Sequence, residues 1–164
     1  ASMIDAYGFD NSKKIVTGWV SNLATEVFSN DTNALKAVSS GQCGVTIVNT
    51  YYLARLLDDP KYDNLELVWA NQNDRGVHVN ISGAGIVKTS QNKKEAQKLL
   101  EYLSSDSAQD FYALANKEYP VLKDANVAES IMVWGAFIED EINVSKLGSL
   151  QKEAVFLAQE VGYK

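Results

Sequence analysis

The stretch that most constrains this chain is Cys43-Gly44-Val45-Thr46-Ile47-Val48, an apolar run that stops at the polar pair Asn49-Thr50. It is short enough to be a strand buried on both faces, as in a parallel sheet. The sequence then passes into a segment that reads as a helix over roughly 49–58, ended by Asp58-Asp59-Pro60. Leu65 to Ala70 reads as the next strand, and Val77 to Ser82 alternates as another. Strand, helix, strand in this rhythm is the mark of a βαβ unit and so of an α/β fold.

Two adjacent tyrosines, Tyr51 and Tyr52, fall in the first turn of that helix, and Arg55 follows at i+4 and i+3. One reading makes them amphipathic aromatics, one in the core and one at the surface. The other takes both phenol oxygens as ligands at the mouth of a cleft. Neighbours on a helix point about 100° apart, so one ligand meets both only from the helix end. The Arg55 cation would favour phenolate over phenol, lowering a pKa that starts near ~10.

Elsewhere the pattern is mostly helical. Ala1 to Gly8 looks like the last two turns of a helix, with Gly8 as its left-handed stop. There is no capping residue ahead of it, and we expect the chain to be a piece of something longer. Residues 11–23 form an amphipathic helix. Ser29-Asn30-Asp31-Thr32 caps a short helix stopped by Gly41. That helix start is either plain capping or an anion site built on free backbone N–H groups. Ser82-Gly83-Ala84-Gly85 lacks the third glycine of a dinucleotide fingerprint and reads as close backbone packing or a hinge-like crossing. Two helices follow from Asn92 to about Ala115, then an extended exit through Lys117-Glu118-Tyr119-Pro120-Val121. The final helix carries Leu147, Leu150, Ala154, Leu157, Ala158 and Val161 on one stripe.

Composition excludes several classes. A net charge of −6 without a basic stripe argues against a nucleic-acid partner. One cysteine, Cys43, and one histidine, His78, cannot supply a zinc site, and no nucleophile elbow or oxyanion loop flanks Cys43. Glu139-Asp140-Glu141 reads as a solvated charge run. An enzyme is poorly supported, and a binding protein is expected.

Four ordered segments resemble one family: Phe28-Ser29-Asn30-Asp31, Gly41-Gln42-Cys43-Gly44 running into Val48-Asn49-Thr50-Tyr51-Tyr52-Leu53-Ala54-Arg55, Val79-Asn80-Ile81-Ser82-Gly83-Ala84-Gly85, and Asn116-Lys117-Glu118-Tyr119-Pro120-Val121. Over nearly its whole length the chain is similar to the C-terminal half of periplasmic ferric-iron-binding proteins, the solute-binding subunits of iron(III) ABC transporters. The cyanobacterial branch fits best. The resemblance implies a type II periplasmic-binding-protein fold, mainly its C-terminal lobe with a βαβ sheet flanked by helices, plus part of the N-terminal lobe. Residues 1–81 would belong to the C-terminal lobe, 82–130 would cross to the N-terminal lobe, and 131–164 would return.

It further implies Fe³⁺ as the bound species, with no organic cofactor, held by the phenolates of Tyr51 and Tyr52 in an interlobe cleft. A hard, highly charged cation favours anionic oxygen. Arg55 would balance the phenolate charge behind them. Asn49 and Asn30 would contact a synergistic anion, although Asp31 stands where relatives carry an anion-contacting asparagine, and a carboxylate repels an anion. The implied partners are a membrane permease and the N-terminal half of the same protein, and the implied location is the periplasm. The rival within the same fold is a receptor for a small anion at the Ser29–Thr32 helix start.

Overall fold

The computed structural model of the chain describes residues 1–163. These divide into two compact units, one of residues 1–47, 68–79 and 137–163 and the other of residues 48–67 and 80–136.

The first unit is built on α1 (Ser2–Tyr7), α2 (Phe9–Ser21), α3 (Asp31–Ser39) and α8 (Ser145–Glu160), with α1, α2 and α8 packed on one another. Gly8 both ends α1 and starts α2. Its φ of 76° is positive as expected, but its ψ of 166° is extended and not the left-handed helical stop read from the sequence. An L side chain rarely tolerates that backbone, which lets two helices meet at one residue. α3 is capped as the sequence reads: Asn30 Oδ1 accepts the Asn33 amide at 2.9 Å. It closes on Gly41, φ 78°, with Gly41 N–H donating to Val38 O and Gln42 N–H to Ala37 O, the paired bonds of a Schellman stop.

The expected strands form no ladder among the described residues. The only pairing there is an isolated parallel bridge, Val77 with Glu139, closed by Val77 N–H to Ile138 O and Asp140 N–H to Val77 O at 2.8 Å each. Segment 43–48 stays irregular, with Val45 and Ile47 at 83% and 80% exposure. Strand propensity expresses a fit to neighbouring strands, so without a paired neighbour the same residues take no regular form.

The bridge has two consequences that the sequence reading missed. Gly76, φ 85°, has Ile138 O and the Glu139 carbonyl within 2.6 Å of where a Cβ would stand. It is the glycine that close packing requires; around Gly83 and Gly85, where close packing was expected, the space is open. Asp140 also leaves the solvated run assigned to it. Its carboxylate lies 3.2 Å from Arg75 Nη1 and accepts from Ser2 Oγ at 3.1 Å, with the side chain 9% exposed. Strand-like alternation at the bridge turns Asp140 inward while Glu139 and Glu141 stay exposed.

The second unit contains α4 (Thr50–Leu56), a 3₁₀ turn (Pro60–Tyr62), α5 (Lys93–Leu103), α6 (Asp106–Asn116) and α7 (Glu129–Met132). Its core is Ala54 and Ala128 around Ile131, which is fully buried, with Tyr119, Val127 and Trp134 packed against it. Leu99, Phe111 and Leu114 on α5 and α6 remain 55%, 66% and 54% exposed.

The two kinds of glycine separate in a simple test. Gly76→Ala should destabilise the protein by more than about 1 kcal/mol, since a φ above zero and a backbone clash act together, while Gly83→Ala should stay within about 0.5 kcal/mol. Denaturant unfolding of both variants checks it; equal effects would mean the approach at Gly76 is not a constraint.

Candidate metal centre

α4 is only seven residues long, and it is fixed by its inner face: Leu53 and Ala54 are 3% and 1% exposed. The outer part of its first turn then carries Tyr51 and Tyr52, both half-buried. Their rings lie side by side, centroids 4.4 Å apart and planes inclined by 35°. Neither is swallowed by the core, so the reading of one buried and one surface tyrosine does not hold. The adjacent rings converge because they leave the helix near its start, where no preceding turn separates them.

Asn49 is the N-cap residue of α4, in extended conformation, and its carbonyl accepts the Tyr52 amide at 3.2 Å. Arg55 lies on the same side as the tyrosines. Its guanidinium carbon is 5.1 Å from the centroid of the Tyr51 ring, a cation–π approach, and its Nη2 donates to Asn116 Oδ1 at 3.5 Å. So the structure brings together Asn49, Tyr51, Tyr52 and Arg55. Asn30 belongs to the other unit, where its side-chain oxygen caps α3.

The sequence reading gave no role to the residues that hold α4 from behind. Lys117 Nζ donates to Ala54 O at 3.1 Å and pairs closely with the Asp58 carboxylate. Tyr119 lies against the Ala54–Ile131 core, and its hydroxyl donates to Ile131 O at 3.4 Å. Burial raises the Tyr119 phenol above its ordinary 10.0, because a buried phenolate loses its hydration. Tyr119 is therefore a neutral donor, unlike what a ligand phenolate must be. The one available signal was the Asn116–Val121 segment itself, which reads as an exit from a helix.

Among the described residues no three His, Cys, Asp or Glu side chains form a metal-sized group. Residues 23–110, more than half of the chain, match the bacterial extracellular solute-binding protein family. The chain belongs to that family. As a solute-binding protein it is 41% identical over its whole length to iron uptake protein A1 of Synechocystis, and 31% identical over 57% of its length to the major ferric iron-binding protein of Neisseria meningitidis serogroup B. The chain spans about half the length of the Synechocystis relatives and less of the Neisseria one. Among solved structures it superposes with a TM-score of 0.91 on Trichodesmium IdiA (FutA) in complex with iron and citrate, at 40% identity, covering 99% of this chain and 54% of that one. On the apo ferric ion-binding protein A of Pasteurella haemolytica the TM-score is 0.92 at 34% identity, covering 98% and 52%. The chain shares the fold of these solute-binding proteins.

The raised Tyr119 phenol fixes a pH response. As pH rises, the unfolded chain gives up this proton first, so the stability it contributes is complete below pH 10.0 and is lost above it. Tyr119→Phe should lose less stability than the parent in that alkaline range. Unfolding curves at a series of pH values test this, and parallel losses would remove Tyr119 as the source.

Proposed function

We propose that this chain is the tyrosine-bearing part of an extracytoplasmic ferric-iron-binding protein that delivers Fe³⁺ to a membrane ABC transporter permease. The observation that carries the reading is the side-by-side pair Tyr51 and Tyr52 with the Arg55 guanidinium over the Tyr51 ring. It is supported by similarity along the whole chain to an iron uptake protein. Fe³⁺ is the cargo, bound by the phenolate oxygens of Tyr51 and Tyr52 in an interlobe cleft. Arg55 offsets the negative charge of the ligand set. The reading makes the protein a receptor located in the periplasm and not an enzyme.

In the same reading, residues 1–81 and 131–164 belong to the C-terminal lobe and 82–130 to the N-terminal lobe, whose remainder lies in a longer chain. The exposed Leu99, Phe111 and Leu114 support a covering of this kind, since apolar groups gathered on one helix pair favour burial. A synergistic anion accompanies the iron, with Asn49 as its contact beside the tyrosines. The citrate bound with iron in the Trichodesmium protein supports an anion of this class. The alternative, a receptor for a small anion alone at Ser29–Thr32, has less support because the Asn33 N–H at that helix start is already donated to Asn30 Oδ1.

Two measurements test the proposal on the full-length protein. Fe³⁺ added from a chelator should produce a visible ferric–phenolate absorption band. Tyr51→Phe and Tyr52→Phe should each weaken binding by orders of magnitude, because a phenyl ring offers no anionic oxygen to a hard cation. Wild-type affinity and colour in both variants would end the reading. Arg55→Ala should fold normally but weaken ferric binding, since the cation that offsets the charge of the ligand set is gone. Unchanged affinity would exclude Arg55 from the site.

A further inference from the structure

We propose that Asn116 and Lys117, consecutive residues at the end of α6, are the positioning residues of the Tyr51–Tyr52 site. This rests on the ferric reading above for its purpose, but on geometry for its content. α6 ends with Lys117 in the left-handed region, φ 58° and ψ 38°. A side chain is strained there, and the position ordinarily takes glycine. A lysine at such a point has its stem and charge to offer in return.

Both are used on α4. The Lys117 side chain is only 16% exposed, and its ammonium meets Ala54 O and the Asp58 carboxylate. Ala54 lies in the last turn of α4, where carbonyls have no partner within the helix. A cation there satisfies that oxygen and suits the negative end of the helix. Asn116, one residue earlier, accepts from Arg55 Nη2, which holds the guanidinium that lies over Tyr51. The last residue of α6 and its C-cap therefore grip two adjacent residues of α4, one by its side chain and one by its backbone. The grip is wholly at the C-terminal end. It does not occupy the first turn, which carries both tyrosines, while it fixes the helix direction and the charge beside it.

The test uses the full-length protein with Fe³⁺ supplied as ferric nitrilotriacetate, and the same protein free of metal. Asn116→Leu and Lys117→Met should each weaken ferric binding about ten- to a hundredfold, the range for residues that orient metal ligands. Asn116→Asp, which keeps an acceptor for Arg55, and Lys117→Arg, which keeps the cation, should restore most of the loss. Lys117→Gly should not, although it relieves the backbone, and that result separates the ammonium from the turn. In the metal-free protein, Asn116→Leu and Lys117→Met should each speed amide hydrogen exchange in α4, and Asn116→Asp and Lys117→Arg should restore its protection. If that faster exchange appears and wild type gives no ferric band, positioning stands and the iron reading falls. If wild type gives the band and neither variant changes its ferric affinity or the exchange of α4, the positioning role is overturned and the iron reading stands.

Discussion

A helix of seven residues has too few internal hydrogen bonds to persist in water, because nucleation consumes most of what propagation returns. α4 therefore depends on what lies beneath and behind it. Beneath, Ala54 packs against the fully buried Ile131 with Ala128 beside it. Small side chains at 54 and 128 let the elements come close, and the aromatic bodies of Tyr119 and Trp134 surround the contact. Behind, the Lys117 ammonium takes up a carbonyl that would otherwise be unpaired. The tyrosines fall on the outer part of this short helix because Leu53 and Ala54 hold its inner face.

The same unit shows how burial can assign opposite roles to one residue type. Tyr119 is held neutral by the surroundings that hide its ring, and its hydroxyl serves the backbone as a donor. Tyr51 and Tyr52 share a half-exposed surface with a guanidinium alongside. Desolvation disfavours a phenolate, while a nearby cation favours it. Three tyrosines within two short segments thus divide into one structural donor and two candidate ligands.

The first unit relies on a different device. Segments far apart in sequence are joined by backbone pairing at Val77 and Glu139, and the Gln72 side chain extends it by donating to Ile138 O at 3.0 Å and accepting from Ile138 N–H at 2.7 Å. Arg75 and Asp140 add an ion pair with little exposure to water, and Trp69 stacks on Phe137 with centroids 4.2 Å apart. An inward carboxylate is tolerable here because it has both a cation and a hydroxyl donor. Removing one partner of such a pair costs about 3–5 kcal/mol, which makes it a requirement of this arrangement more than a source of stability.

The sequence by itself determined what can be settled within a few residues. Helix positions followed from apolar spacing, the Asn30 cap from its side-chain chemistry, and the Gly41 stop from its freedom at positive φ. The Tyr51–Tyr52–Arg55 grouping followed from helical spacing, and the family resemblance from ordered motifs. Tertiary structure alone decided the rest. Whether 43–48 pairs as a strand, whether Asp140 faces inward, and which glycine is essential all depend on segments tens of residues away. Lys117 is the clearest case. Its sequence neighbourhood marks only a helix end, and its role exists because Ala54 and Asp58, some sixty residues earlier, come within reach of its ammonium. Local hydrogen bonding and periodicity are written in adjacent residues, whereas a long-range contact is defined only once the chain has closed on itself.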